Sequence, residues 1–196
     1  GSSQQLQDTD AGVLAEINWV RAHPADYAAE LRAYETHFRG KIAYEPGDPV
    51  GVVFTEGVAA VEEAADYVAA QPPRPPLRRS ELLSVAAHDH AREQAATGAL
   101  GHIGPDGSTP SARVQRRGGG RYVGEIIAYG AASPAAMVRL FIVDDGVPGR
   151  GHRTAVFSDQ YSFAGVGCGD HSAFGHMCVV DLAMTPDGNL SQSASQ

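Results

Sequence analysis

The chain has 196 residues, 43% of them hydrophobic, which is enough for one cored domain and argues against wholesale disorder. Its formal net charge is −8, from 23 acidic and 15 basic side chains, so a primary role on DNA, RNA or an anionic membrane is not expected. No apolar run is long enough to span a bilayer. The chain opens on Gly1-Ser2-Ser3 rather than methionine, so a signal peptide removed ahead of it is the expectation.

Residues 1–8 are polar and read as a flexible tail. Thr9 or Asp10 can cap a first helix, with Val13, Ile17 and Val20 as its apolar stripe and His23-Pro24 as its end. Pro24 opens a second short helix showing Tyr27, Leu31 and Tyr34 on one face. Residues 40–54 are rich in Gly and Pro and read as loop. Thr55 is then expected to cap a helix with Val58, Val61, Ala65 and Val68 on one side. Pro72-Pro73-Arg74-Pro75-Pro76 is a stiff connector. Ser80 caps the next helix, which runs to about Thr97 and ends at Gly98.

Arg113, Arg116, Arg117 and Arg121 surround Gly118-Gly119-Gly120 and read as a solvated loop. Ser133-Pro134 is an N-cap with a first-turn proline, opening a helix through Val143. Strands are expected at 122–129, 162–169 and 177–183. Residues 187–196 are Ser/Gln-rich and expected to be disordered. The whole reads as one α+β domain over 9–186, with a loop and helix insertion at about 36–79.

Cys168 and Cys178 are the only cysteines. A hairpin centred on Ala173 sets them opposite each other, close enough for a disulfide, which would fit an oxidising compartment. Two buried free thiols are the alternative.

Three glycine-bearing segments carry groups that handle metals or protons: Gly101-His102-Ile103-Gly104-Pro105-Asp106-Gly107, Val123-Gly124-Glu125-Ile126-Ile127, and Gly149-Arg150-Gly151-His152-Arg153. With Leu14-Ala15-Glu16-Ile17-Asn18, Arg21, Pro24, Tyr27 and the His90-Ala91 pair, and in this order, they resemble the bacterial type of the CAP superfamily. This is the cysteine-rich secretory, antigen 5 and pathogenesis-related-1 group, also called SCP-like. The resemblance spans about Val13 to Ala183. It implies an αβα sandwich with a three-stranded or slightly larger antiparallel sheet between helical layers. It also implies a cavity lined by His102, Glu125 and His152. The family's second cavity glutamate is missing from Leu140-Phe141-Ile142-Val143-Asp144-Asp145, where Asp144 is the nearest substitute. Ile126 stands where the family has asparagine.

His102 and His152 are thus the candidate metal ligands, with zinc the divalent ion that two imidazoles suit best. Glu125, a carboxylate within an apolar strand, needs a partner if it is buried. A cavity imidazole is the obvious one, oriented in turn by the carboxylate. Metal requires neutral imidazole, so binding should weaken as pH falls through the ordinary histidine range, about 6.5. His88 and His90 lie about 200° apart around a helix and cannot share a metal. His171 and His176 are expected near an exposed turn.

The first functional reading is a secreted or periplasmic binding module. Its partner would be a small hydrophobic ligand or an extracellular or envelope component, not nucleic acid. The second is a metal-dependent hydrolase or peptidase using the same cavity, with Glu125 as general base. Two histidines without a firm third ligand make a poor catalytic metal site, which ranks catalysis second.

Overall fold

The computed structural model describes residues 3–190. Helix α1 (Ser3–Ala22) starts well before the expected cap. Residues 3–8, expected within the tail, form its first turns, and Gln4 donates to Asp8 at 3.0 Å one turn on. Asp10 turns inward rather than capping. Its carboxylate accepts the Cys168 N–H at 2.8 Å and meets the His88 ring at 2.7 Å. Val13, Ile17 and Val20 are buried, as their helical spacing predicts.

Helix α2 (Pro24–Glu35) follows with proline at its first turn and buries Tyr27, Leu31 and Tyr34. The segment expected as loop, 40–54, together with the two residues before it carries a small antiparallel meander of β1 (Phe38–Arg39), β2 (Ile42–Ala43) and β3 (Val52–Val53). Two-residue strands are too short for alternation to register in a sequence. Thr55 does not cap α3 (Val58–Ala69). The cap is Gly57 at φ 66°, and the Thr55 and Glu56 N–H groups donate instead to Asp145 at 2.6 and 2.8 Å.

After β4 (Arg78–Arg79), Ser80 caps α4 (Glu81–Ala95), its hydroxyl accepting the Leu83 N–H at 3.1 Å. The arginine-rich stretch is not wholly a loop, because α5 (Pro110–Arg116) occupies its first part. Thr109 caps this helix and Pro110 opens it, the same signal that marks Ser133-Pro134. Next come β5 (Val123–Tyr129), α6 (Pro134–Val143) and the one-and-a-half-turn α7 (Gly151–Val156). The hairpin of β6 (Phe163–His171) and β7 (Gly175–Ala183) ends the domain.

The α+β expectation holds. The three long strands are antiparallel, in the order β6-β7-β5, and β4 adds a short parallel rung outside β6. Helix α4 lies against one sheet face, where Gly165 and Gly167 let the backbones touch. A Cβ at Gly165 would lie 2.1 Å from the Leu83–Ser84 peptide. Ala87 and Ala91 meet Ile127, Met177 and Val179 there. The other face, with Ile126, Ala128, Val166, Val180 and Leu182, joins α1, α2, α3 and α6 in the main core.

Cys168 pairs with Cys178 in the β6–β7 register and the two form a disulfide. His171, expected to be exposed, is buried. Its Nε2 meets the Ala99 carbonyl at 3.0 Å, and the Phe174 N–H donates to its Nδ1 at 3.1 Å. Residues 187–190 are also ordered against the domain. The Gly120 and Tyr122 N–H groups donate to the Asp187 and Gly188 carbonyls at 2.8 and 2.9 Å. Residues 191–196, the rest of the expected disordered tail, lie outside the described residues. Among the described residues no helix is long and apolar enough to cross a membrane.

Candidate functional site

Strand β5 places Glu125 on the α4 side of the sheet, alternating with Ile126 on the main-core side. The Glu125 side chain is 1% exposed. His102, on the loop after α4, puts Nδ1 2.8 Å from Glu125 Oε1 and leaves its ring 45% exposed. Glu125 has a second partner absent from the sequence expectation. Arg113 of α5 is buried, not solvated, and its Nη2 lies 3.1 and 3.0 Å from the two carboxylate oxygens. The same guanidinium donates to the Ser108 carbonyl at 3.0 Å.

His102 is positioned through its neighbour. The Gly101 carbonyl meets His90 Nε2 at 2.7 Å and accepts from Gln94 at 2.8 Å. The Gly101 N–H donates to the Tyr129 hydroxyl at 3.0 Å, and that hydroxyl donates to Gln94 Oε1 at 2.6 Å. Three side chains, His90, Gln94 and Tyr129, thus hold Gly101 just before His102.

Asp181 of β7 stands directly across from Glu125 and is fully buried, and neither of its oxygens has a hydrogen bond of acceptable geometry. Burial pushes its carboxyl well above the usual range, and the adjacent Glu125 pushes it the same way. Burial alone would raise Glu125 too. The contacts with His102 and Asp181 and the charge of Arg113 outweigh it and hold Glu125 below the usual range. The pair therefore carries one charge, placed on Glu125 beside Arg113. Stability contributed by protonated Asp181 is full below the ordinary carboxylate range, about 3.9, and is lost as pH rises toward and through its folded pKa. Asp181→Asn keeps a donor and removes the titration. The variant should gain on wild type as pH rises from about 4 to 8 in thermal melts. Parallel pH profiles for the two proteins would count against this.

A second pair forms at the end of α6. Asp144 takes the left-handed conformation, φ 52°, and its buried carboxylate points at the start of α7. It accepts the His152 N–H at 2.9 Å and sits 2.7 Å from His152 Nδ1. The shorter carboxylate thus reaches His152, and Asp144 is not the solvated stop signal that its position at a helix end suggests. His152 lies on a helix rather than a flexible loop. Its side chain is 24% exposed. Arg153, buried beside it, donates to the Ile142 and Val143 carbonyls at 2.7 and 2.8 Å and ties α7 to α6.

Both pairs flank β5, the edge strand of its sheet, which α6 and α7 also contact. Among the described residues no group of three or more His, Cys, Asp or Glu side chains is arranged to hold a metal. His88 is tied to Asp10 and belongs to neither pair.

The family model for CAP, the cysteine-rich secretory protein family, matches residues 14–182. The chain belongs to this family. Among solved structures it is similar to an extracellular protein containing an SCP domain from Bacillus anthracis. Identity there is 18% and the TM-score 0.49, over 66% of this chain and 38% of that one. It is also similar to an outer surface protein from Borrelia burgdorferi, at 18% identity and a TM-score of 0.45, over 54% of this chain and 75% of that one. The match thus spans 38% of the Bacillus protein's length. No curated protein matches the chain. Membership of the CAP family rests on the sequence match, not on either superposition.

Proposed function

We propose that this CAP domain is a secreted or periplasmic binding module whose working groups are the two His–carboxylate pairs flanking β5. One observation carries the reading. In each pair a buried carboxylate takes Nδ1, and neither Nε2 makes a hydrogen bond within the described residues. A carboxylate at Nδ1 selects the neutral tautomer whose lone pair is on Nε2, the atom a divalent metal binds. His102 and His152 would hold zinc, which suits two imidazoles, with water or a ligand completing its shell. Glu125 and Asp144 orient the rings from behind. When bound, the metal supplies a Lewis-acidic anchor for a polar ligand group.

Leu100 and Ile103, each 55% exposed, flank His102 and favour a ligand with an apolar part or an apolar envelope partner. The disulfide and the family support an oxidising, extracytoplasmic compartment. Calorimetric titration tests the reading: zinc should bind wild type and fail to bind His102→Ala/His152→Ala. Equal titrations of the two proteins would end it. The hydrolase reading stays second, because two imidazoles with no third protein ligand leave a catalytic metal poorly fixed. Turnover of a peptide or ester that needs Glu125 would reverse that order.

Binding to nucleic acid should be weak. Arg113 is buried on Glu125, Arg116 pairs with Asp106 at 3.0 Å, and Arg117 holds Asp89 at 2.8 and 2.7 Å. The acidic surface repels phosphate at a distance. Fluorescence anisotropy in moderate salt should show no tight duplex binding, and a tight complex would contradict this.

A further inference from the structure

Helices α1, α2 and α6 and the segment after β2 leave a cleft of about 240 Å³ between them. None of its lining residues belongs to either His–carboxylate pair. Glu16 of α1 and Glu30 of α2 stand on its walls, and among the described residues neither carboxylate pairs with a cation. Burial raises the Glu16 carboxyl above its ordinary range, and the charge of Glu30 raises it further. Tyr27 lines the same cleft. It is 2% exposed, and its hydroxyl makes no hydrogen bond within the described residues. Burial pushes that phenol far up, so it stays neutral, and the charges that act on it are Arg139, Glu16 and Glu30. All three line the cleft, which places the hydroxyl toward it rather than toward the core. A buried hydroxyl without a partner costs free energy, and a partner inside the cleft would remove that cost.

The opposite wall already holds one cation. The Arg139 guanidinium lies 4.0 Å from the centre of the Tyr34 ring, with Nη2 3.7 Å from Glu45 Oε1. That contact matches Glu45 and leaves Glu16 and Glu30 unmatched. His37 Nδ1 is buried there without a hydrogen bond of acceptable geometry, 4.0 Å from Glu45 Oε2 and too far to bond it. Leu31 and Ala135 supply apolar surface beside the polar groups.

We propose that this cleft binds a primary alkylammonium group, that of a small amine or of a lysine side chain. An ammonium carries three N–H donors and no acceptor, and the cleft offers two unmatched carboxylates and one free hydroxyl. Hydrogen bonds from ammonium to carboxylate belong to the strong, charge-assisted class. The alkyl stem would lie on Leu31 and Ala135. An anion is disfavoured, because it would face two carboxylates with no cation beside them. A bare metal ion is disfavoured as well, since these side chains are not grouped as metal ligands.

Calorimetric titration of the whole protein with 1,4-diaminobutane is the test. Acetyl-lysine amide serves as the side-chain probe and 1,4-butanediol as the uncharged control. At least one amine should saturate the protein, and the diol should give no saturable heat. The amine that binds more tightly identifies the source of the ammonium. Glu16→Gln and Glu30→Gln should each weaken binding by about tenfold or more, the loss expected for a hydrogen bond to a charged group. Tyr27→Phe, which keeps the ring, should weaken it by about two- to tenfold. His102→Ala/His152→Ala should bind the amine as wild type does while losing zinc, so failure of the zinc reading and failure of this one are distinguishable. Amine binding unchanged in both glutamine variants would place the ammonium elsewhere on the acidic surface. Diol heat equal to that of the amines would reduce the cleft to an apolar slot. The absence of saturable heat from either amine in folded wild type up to about 10 mM would leave the cleft to water. Any of these three results overturns the proposal.

Discussion

Replacing Glu125 with glutamine in an Asp181→Asn background should cost about 3–5 kcal/mol of stability, the cost of stranding a buried charge. Arg113 and Glu125 have side chains 1% exposed, so water cannot replace the lost carboxylate. The background matters because Asp181 faces the same site, and the charge on Glu125 adds to burial in keeping it protonated. In Glu125→Gln alone, Asp181 loses the repulsion of Glu125, keeps the attraction of Arg113 and can ionise more readily as a counter-charge, so the single variant should lose less. For a chain of this size the double variant should melt lower by about 6–20 °C. Urea unfolding at neutral pH gives the numbers. A double variant within about 1 kcal/mol of Asp181→Asn would show that Arg113 is not held by Glu125.

Removing the disulfide should cost about 2.5–3 kcal/mol, from the closure entropy of a short loop. The two cysteines are 10 residues apart and face each other across the β6–β7 hairpin. A Cys168→Ser/Cys178→Ser variant should melt lower by about 5–12 °C. Thiol titration of unfolded, unreduced protein from an oxidising compartment should find no free cysteine. Two titratable thiols there, or an unchanged melting temperature in the variant, would contradict the bond's structural role.

The long elements were legible because their signals are local. Ser80 and Ser133 cap where a hydroxyl followed by a helical stripe says they should. The cysteine register followed from symmetry about the turn. Short elements were not legible, since β4 and the meander have two residues per strand and α7 has six in all. The start of α1 was misplaced because Asp10 looks like a cap, yet its carboxylate is drawn across the chain to the Cys168 N–H and His88.

At the candidate site the sequence exposed the charged residue that breaks an apolar strand, Glu125, but the same signal in β7 passed unused. Asp181 interrupts Met177–Ala183 in the same manner, and register alone puts it opposite Glu125. Arg113 was hidden by its company. Three neighbouring arginines do sit at the surface, and only the turn of α5 separates the buried one from them. The pairing of Asp144 with His152 depends on a left-handed residue that is not glycine, which no pattern of residue types announces.

The central claim is that His102 and His152 serve one metal. X-ray absorption at the zinc K-edge, on protein loaded with one equivalent of zinc, tests it most directly. The account predicts two imidazole nitrogens per zinc at about 2.0–2.1 Å, with oxygen ligands filling the shell. The imidazole signal should vanish in His102→Ala/His152→Ala. A single imidazole per zinc in the wild type, or a spectrum unchanged in the double variant, would contradict it.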